Sequence, residues 1–330
     1  RGLEMCIRDR VNTYTDQAQH RPRVAINTDG SFLVVWQSDE KPNPEDNFYR
    51  EVVRSQAFDA DANPLGDERL LTELQPLIAT GGPYPEVAVL NDASYIVVWR
   101  SAQSSDPLER STSIQARKIG ANGIPLGGQF QVNETSSQGE DYAAVTALDD
   151  GGFLVVWTVP KEVRGRRFAA DGTPVGDEFL VNTLLEASKS QTKVVSHQDG
   201  RILVVWRDSG GVDADVAEIT GRFFNQELNP QGNEFRINVL TTGLQHEPEV
   251  ADYGQGGFFV VWESAVSAGN DIEPRSIEGR IVTGSNQFAG PQFLVNSWTE
   301  STQQFPGMGG SNGRIAIVWK SGSNADTSAN

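Results

Sequence analysis

The sequence has little of three things on which much protein chemistry depends: cysteine, histidine and positive charge. Its 330 residues include one cysteine and three histidines, and 27 lysines and arginines face 44 aspartates and glutamates, for a net charge of −17. A single cysteine excludes a disulfide framework within the chain. The shortage of basic residues argues against nucleic acid or anionic lipid as a partner, because both need clustered Lys and Arg side chains.

Long apolar runs are also missing. No stretch approaches the roughly 18 residues that a membrane-spanning helix needs, so we expect no membrane span. The one cysteine, Cys6, lies in residues 1–10, a segment that resembles the translation of a transposon end used to prepare sequencing libraries. We therefore predict that residues 1–10 are an artefact or disordered.

What the sequence does contain is a repeat. Six times an apolar strand ends in valine-tryptophan, over residues 32–36, 95–99, 153–157, 202–206, 258–262 and 315–319. Successive tryptophans are 63, 58, 49, 56 and 57 residues apart. This period is typical of propeller blades with four strands each.

Each repeat carries four strand signals and two kinds of turn. In the second repeat the strand signals cover residues 86–90, 95–99, 114–119 and 129–133. The tryptophan strand is apolar at nearly every position, which indicates that neighbouring sheets cover both of its faces. The sequence therefore predicts an all-β fold, a β-propeller of about six four-stranded blades over residues 11–320 with the last blade incomplete, followed by a disordered tail at 321–330.

Two polar patterns recur at fixed places in the repeat. The third strand has a small residue beside a basic one, as in Ala116-Arg117, and the fourth strand ends in asparagine, as at Asn182. Recurrence at one position favours packing between repeats over a ligand site. We predict that the arginines pack blades together with Glu68, Glu178 and Glu234, and that the asparagines close the fourth strand.

The order of these features suggests a family. The features follow one another in the order proline, valine-alanine, aspartate-glycine, valine-valine-tryptophan, arginine-x-phenylalanine, glycine and valine-asparagine. Over residues 11–319 this pattern resembles the tryptophan-bearing repeats of very large secreted bacterial surface and RTX-type proteins. The resemblance implies a secreted or cell-surface protein in which neighbouring domains of a longer chain, some of them calcium-binding, serve adhesion or scaffolding.

The segments that lead into the first strands hold the candidate binding residues. If the first strand of each blade lines the axis, these segments ring the mouth of the central channel. The aromatic and histidine side chains in them are His20, Tyr84, Tyr142, His246 and Phe305. Such a ring is suited to sugars or peptides, and the alternative is that these residues only fix the start of each first strand.

A calcium site is a second prediction. Asp59, Asp61 and Asn63 place three oxygen-bearing side chains at alternate positions, as calcium-binding loops do. The equivalent turns of other repeats lack this pattern, so a plain polar turn is the alternative. Calcium is the only cofactor that the sequence suggests.

The functional prediction is a non-enzymatic binding or scaffolding module, with an extracellular glycan or protein bound at the rim of variable loops. A calcium-stabilised structural spacer is one alternative. The other is a glycoside hydrolase of the sialidase-like propeller type, although the turns of this chain match the aspartate box only in part. Because no catalytic set stands out, we predict that the protein is not an enzyme.

Overall fold

The computed structural model describes residues 10–41, 45, 49–73, 82–102, 112–134, 139–209, 217–241, 243–265, 275–297, 299, 301–311 and 314–322. Within these ranges the chain forms 23 β-strands and no helix. The predictions for residues 1–9 and 323–330 lie outside the described residues, and so does much of the variable-loop rim.

The strands are numbered in chain order. The first three sheets contain β1 (Gln19–Ile26), β2 (Phe32–Glu40), β3 (Arg50–Phe58), β4 (Arg69–Leu70), β5 (Glu86–Val89), β6 (Tyr95–Ala102), β7 (Thr112–Ile119), β8 (Phe130–Gln131), β9 (Asp141–Ala147), β10 (Phe153–Val159), β11 (Glu162–Phe168) and β12 (Phe179–Leu180). The last three contain β13 (Ser188–Ser196), β14 (Ile202–Ser209), β15 (Glu218–Phe224), β16 (Phe235–Arg236), β17 (Gln245–Gly254), β18 (Gly257–Ser264), β19 (Ser276–Gly284), β20 (Gln287–Phe288), β21 (Phe293–Leu294), β22 (Gln303–Ser311) and β23 (Arg314–Ser321).

The sheets follow one another around an axis. Each of the first four has four antiparallel strands in chain order, the fifth adds β21 beside β19, and the sixth consists of β22 and β23 among the described residues. The first strand of each sheet contacts the first strand of the next, from β1 through β5, β9, β13 and β17 to β22. Sheets joined along their inner edges form a propeller. The predicted six-bladed β-propeller with an incomplete last blade is confirmed.

The tryptophan strand is apolar throughout because its two faces belong to two different cores. In blade three, Val155 and Trp157 pack with Val98 of blade two, whereas Leu154 and Val156 pack with Trp206 of blade four. Trp157 is only 1% exposed. Each blade is thus held by apolar contacts on both sides, and most of the hydrophobic stabilisation lies between blades.

The third-strand arginines join neighbouring blades through the backbone. Each guanidinium donates to the carbonyl of the residue that directly follows the fourth strand of the preceding blade. The pairs are Arg117 with Leu71 at 2.9 Å, Arg166 with Val132 at 3.0 Å, Arg222 with Val181 at 2.7 Å and Arg280 with Ile237 at 2.8 Å. Their role between blades agrees with the prediction, but their common partner is a carbonyl and not a fourth-strand glutamate.

A second contact between blades uses those glutamates. The side-chain oxygen of a Glu or Gln before the fourth strand accepts from a backbone N–H at the end of the preceding blade. The pairs are Glu68 with Thr13, Gln129 with Glu73, Glu178 with Glu134, Glu234 with Thr183 and Gln292 with Val239. An acceptor placed here satisfies a donor that the short fourth strand leaves without a partner.

The fourth-strand asparagines act within their own blades. Each side-chain oxygen accepts from the backbone N–H of a third-strand residue. The pairs are Asn133 with Ile114 at 2.8 Å, Asn182 with Val163 at 2.6 Å, Asn238 with Ile219 at 2.8 Å and Asn296 with Ile277 at 2.8 Å. These asparagine latches extend the sheet past the last residue of a two-residue fourth strand, which is the structural role predicted for them.

No helix that is long and apolar enough to cross a membrane occurs in the described part of the chain.

Candidate functional site at the mouth of the axis

Every blade has one residue in the left-handed backbone region as the chain enters or runs along its first strand. These residues, which we call the bulge ring, are Arg21, Tyr84, Tyr142, Gln191, Glu247 and Phe305, with φ values of 51°, 46°, 47°, 55°, 46° and 53°. In five blades the pairing of the first two strands shifts at this point, as at a β-bulge. None of the six is glycine, so the surrounding structure must hold a conformation that costs about 1 kcal/mol or more at each position.

The bulge ring turns side chains towards the axis. Arg21, Tyr84, Tyr142, Gln191 and Glu247 line a narrow cleft with a cavity volume of about 30 Å³, which we call the axial cleft. These five residues come from blades one to five. Bulges often redirect side chains next to functional sites, which makes this cleft a candidate site, although its cavity itself has room only for about one water molecule.

The floor of the axial cleft is made of charges. Arg23, Glu86, Lys193 and Glu249 form a closed ring of ion pairs, here called the axial quartet. Arg23 Nε lies 2.8 Å from Glu86 Oε1, Arg23 Nη2 lies 3.2 Å from Glu249 Oε1, and Lys193 Nζ lies 3.0 Å from Glu249 Oε1 and also contacts Glu86. The four residues lie two positions after their bulges, so blades one, two, four and five meet at the axis.

The quartet shifts the acidity of its own members. Burial alone lowers the pKa of Arg23, but the carboxylates of Glu86 and Glu249 raise it above its ordinary value. Burial also raises the pKa of Glu86, yet Arg23 and Lys193 lower it overall. For Glu249 burial prevails and the pKa is raised. Buried charges that are fully paired in this way close the cleft at its base.

An aromatic pair forms one wall of the axial cleft. The rings of Tyr84 and Tyr142 lie 5.0 Å apart between centroids, and the Arg21 guanidinium lies 3.8 Å above the Tyr84 ring. On another wall Gln191 and Glu247 are joined by two hydrogen bonds. Gln191 Nε2 donates to Glu247 Oε1 at 2.8 Å, and the Glu247 backbone N–H donates to Gln191 Oε1 at 3.0 Å.

Two carboxyl groups act on Tyr142. Burial raises the pKa of Tyr142 first, and the negative charges of Asp141 and Glu247 raise it further. Burial also raises the pKa of Asp141, against the opposing effect of Arg100, whose Nε lies 3.9 Å from Asp141 Oδ1. The two carboxyls, carried by blades three and five, therefore lie within electrostatic reach of one phenol, and that of Asp141 retains its proton to higher pH than usual.

The structure divides the residues predicted to bind a ligand into two groups. Tyr84 and Tyr142 line the axial cleft. Phe305 occupies the same ring position in blade six but is 52% exposed and lies outside the cleft lining. His20 and His246 each precede a bulge residue. His20 Nε2 pairs with Asp39 at 3.6 Å, and the pKa of His246 is lowered to about 4 by burial and by Arg207 and Arg275.

Sequence reasoning overlooked most of the polar groups at the axis. It named neither Gln191 and Glu247 nor the axial quartet as site residues. A usable signal did exist. Gln191 and Glu247 occupy the register position of Tyr84, and the axial quartet occupies the position two residues later. Their side chains differ from blade to blade, and this is how a functional position differs from a packing position in a repeat array.

The proposed calcium ligands lie in a hairpin turn between the third and fourth strands of blade one. Asp59 Oδ1 accepts from the backbone N–H groups of Asp61 and Asn63 at 3.0 and 2.8 Å, and Asn63 Nδ2 donates to both Asp59 carboxylate oxygens. Among the described residues no group of three or more His, Cys, Asp or Glu side chains is placed to hold a metal ion. The calcium site stays a prediction.

No protein-family model and no curated protein sequence matches this chain. Solved structures do match. A protein of unknown function from Dyadobacter fermentans aligns with a TM-score of 0.61 at 11% identity, over 92% of this chain and 91% of its own. The GH93 α-L-arabinofuranosidase of Fusarium graminearum, in complex with arabinobiose, aligns with a TM-score of 0.50 at 12% identity, over 72% of this chain and 74% of its own.

A GH43 endo-arabinanase from Bacillus licheniformis also matches, with a TM-score of 0.43 at 12% identity over 82% of this chain and 96% of its own. At such identities the likeness shows the fold. The Fusarium graminearum neighbour is nonetheless a glycoside hydrolase, and this finding contradicts the prediction of a non-enzymatic binding or scaffolding module. The prediction that the protein is not an enzyme is corrected for the same reason, and the glycoside hydrolase alternative fits better.

Proposed function

We propose that the protein is a glycoside hydrolase and that the axial cleft is its active site. The observation that carries the proposal is that Glu247 lines the axial cleft and that Asp141, which precedes Tyr142 in the chain, lies within electrostatic reach of the same Tyr142 phenol. Glycoside hydrolysis needs two carboxyl groups that flank the scissile bond, one protonated and one ionised. Glu247 in the cleft and Asp141 beside Tyr142 are the candidate pair, next to the aromatic wall of Tyr84 and Tyr142.

Asp141 fits the role of the general acid. Its raised pKa means that the carboxyl keeps its proton closer to neutral pH, and a general acid must hold a proton to deliver it to the leaving oxygen. The backbone N–H of Tyr142 donates to Asp141 Oδ1 at 2.9 Å and fixes that carboxyl oxygen. The remaining oxygen, Oδ2, is the one that would carry the proton.

Glu247 fits the role of the second carboxyl group. The two hydrogen bonds with Gln191 hold its side chain and backbone together, so its carboxylate has a fixed direction before any substrate arrives. A carboxylate prepared in this way acts either on the anomeric carbon directly or on a water molecule that attacks it. Which of the two operates depends on the separation of the carboxyls in the substrate complex.

Tyr84, Tyr142 and Arg21 are residue types that contact sugar rings, and a ring would lie over them, because the cleft itself has room only for about one water molecule. Aromatic faces stack on the apolar C–H surface of a pyranose or furanose, and a guanidinium can donate to its hydroxyls. The stacking of Arg21 on Tyr84 orients both side chains in advance, which reduces the entropy lost on binding. The substrate class proposed is an extracellular glycan, in keeping with the secretion that the repeat resemblance implies.

The test is hydrolysis of a panel of p-nitrophenyl glycosides, beginning with the α-L-arabinofuranoside and the β-D-xyloside. Asp141→Asn and Glu247→Gln should each lower kcat/KM about 100-fold or more, whereas Glu227→Gln, an exposed carboxyl remote from the cleft, should leave it unchanged. Asp141→Asn should also abolish the fall in rate at high pH that loss of the acid's proton causes.

The proposal fails if no glycoside is hydrolysed. It fails equally if hydrolysis occurs but survives both substitutions in protein whose thermal unfolding is normal.

A further inference from the structure

One arginine beside the axial cleft has no counter-ion. Arg207 follows the tryptophan of β14, and its backbone pairs with Ser190, which precedes the bulge residue Gln191 in β13. Arg207 Nη1 donates to Ser190 Oγ at 3.4 Å, and Nε is buried without a hydrogen-bond partner among the described residues. No carboxylate in that part of the chain forms an ion pair with Arg207. The guanidinium is therefore a half-buried charge with no opposite charge in contact.

The same position in two other blades carries a charge that is paired. In blade two, Arg100 Nε lies 3.9 Å from Asp141 Oδ1, and in blade five Glu263 contacts the guanidinium of Arg275. Arg207 differs from both because its charge lacks such a partner within the described residues. Burying a charge is costly unless an opposite charge accompanies it, and groups held in such an environment are concentrated at functional sites. A ligand that supplies the missing negative charge accounts for Arg207.

The groups around Arg207 do not neutralise it. Burial lowers the pKa of Arg207, and the opposing effects of Tyr142 and Glu247 do not offset this. The neighbouring His246 of blade five has its pKa lowered to about 4, first by burial and then by Arg207 and Arg275, so its imidazole is neutral at pH 7. A positive potential thus prevails at this point, although the whole chain has a net charge of −17. Such a confined positive region attracts anions.

Arg207 lies close to groups that the proposed reaction uses. It is within electrostatic reach of Tyr142 and Glu247, and both of these line the axial cleft. Because the cavity of the cleft has a volume of about 30 Å³, a sugar ring has to lie over its mouth, on Tyr84 and Tyr142, and not inside it. A substituent of that ring which points towards blade four then approaches Arg207.

A second cation faces the mouth of the cleft from blade one. Arg21 lines the cleft, and its guanidinium lies 3.8 Å from the centre of the Tyr84 ring. Its side chain is exposed, and it has no ion pair within the described part of the chain. The axial quartet below consists of two cations and two carboxylates and so supplies no net charge to balance Arg21 or Arg207. The mouth of the cleft therefore offers two arginines to an anionic ligand.

From these observations we propose that the glycan bound at the axial cleft carries a carboxylate, as a uronic acid residue does, and that Arg207 binds this carboxylate. The inference rests on the proposed function, since it names the substrate class of the same site. A guanidinium can donate two parallel N–H bonds to a carboxylate, one of them from Nε, and Nε is the donor of Arg207 that lacks a partner. A neutral sugar in the same place has a hydroxymethyl group there and leaves the charge unpaired, so Arg207 selects acidic over neutral sugars.

Isothermal titration calorimetry with sulfur-linked phenyl glycosides, which resist hydrolysis, tests the proposal on the intact chain. The acidic probes are the β-D-glucuronide and the α-D-galacturonide, and each is compared with its uncharged counterpart, the β-D-glucoside or the α-D-galactoside. We expect an acidic probe to bind about tenfold or more tightly than its counterpart, since the carboxylate forms a charge-assisted hydrogen bond. This preference should shrink as NaCl rises from about 50 to about 500 mM.

Variants of the protein then assign the preference to one side chain. Arg207→Met should weaken binding of the acidic probe about tenfold and leave the neutral probe unchanged, whereas Arg207→Lys, which keeps the charge without the planar fork, should retain part of the preference. The control is Arg236→Met in the same blade, because Arg236 is 46% exposed and pairs with Glu218 at the outer edge. Arg207→Met should not lower the temperature of thermal unfolding, since burial opposes the charge that it removes.

Equal affinity for acidic and neutral probes, no binding of either acidic probe, or a preference that survives Arg207→Met would overturn the proposal. So would a marked fall in the unfolding temperature of Arg207→Met, because the arginine would then have a structural role. The outcome is separate from that of the proposed function. Hydrolysis of neutral glycosides without any preference for acids refutes the role of Arg207 alone, whereas acid-selective binding without hydrolysis of any glycoside refutes the hydrolase and keeps the role of Arg207.

Discussion

Removal of one asparagine latch tests how the short fourth strands are held. Asn182 lies two residues after β12 and is 0% exposed, and its replacement by alanine removes no apolar side chain from the cores. The asparagine makes three hydrogen bonds. Its Oδ1 accepts from Val163 N–H at 2.6 Å, and its Nδ2 donates to the carbonyls of Lys161 at 3.1 Å and Leu184 at 2.9 Å.

The expected loss follows from these partners. A hydrogen bond contributes about 1 kcal/mol net, and a buried N–H left without an acceptor costs about 1 to 3 kcal/mol. The Val163 residue is fully buried, so water cannot replace the lost acceptor without opening the blade. We expect Asn182→Ala to lower the free energy of unfolding by about 3 kcal/mol.

Urea unfolding followed by tryptophan fluorescence measures this loss as a fall in the midpoint at constant m-value. The control is Asn229→Ala, an exposed asparagine in a turn of blade four, for which a change within about 0.5 kcal/mol is expected. A loss below about 1 kcal/mol for Asn182→Ala would refute the reasoning, because the latch would then contribute no more than a surface contact.

Three further predictions concern the core, the rim and the axis. Trp157→Ala should cost about 3 to 5 kcal/mol in denaturant melts, because the indole fills the core between blades two and three, and a change below about 1 kcal/mol would contradict that packing. The folded pKa of His246 is about 4, below its unfolded value near 6.5. Between these two values the unfolded chain binds the additional proton, so stability should fall as pH drops from about 6.5 to about 4. The loss should be about 1 to 2 kcal/mol after solvent screening, and His246→Asn should remove this part of the pH dependence of the melting curve. Lys193→Met leaves the glutamates of the axial quartet with one cation and should cost about 3 to 5 kcal/mol. A melting curve like that of the unsubstituted protein would show that the quartet is not a closed network.

The six blades were predictable from the sequence because each depends on local rules. The tryptophan strand has apolar residues on both faces, and tight turns such as Asp150-Gly151 follow from the backbone freedom of glycine. The asparagine latch could be predicted as structural because it recurs. Its hydrogen-bond partner could not be predicted, because the N–H group that it accepts from lies on the third strand. For Asn182 that group belongs to Val163, 19 residues earlier in the chain.

The candidate site was predictable only in part. Tyr84 and Tyr142 could be placed at the mouth of the axis because their register repeats, and the structure puts both in the cleft. Glu247 occupies the register position of Tyr84 but was not singled out, and nothing in the sequence context of Asp141 distinguishes it from a surface carboxylate. The prediction of a non-enzymatic module rested on the absence of a catalytic set in the sequence, and the glycoside hydrolase among the structural neighbours contradicts it.

What the sequence determined by itself is the blade: the strand order, the turns, and which strand is covered on both faces. These depend on residue spacing and on backbone preferences that act over a few positions. What only the tertiary structure decided is the axis, where residues as far apart as Arg23 and Glu249 share a charge network and burial raises the pKa of Asp141. Both effects depend on distance and solvent exclusion in three dimensions, and these are set only when the six blades close around one axis.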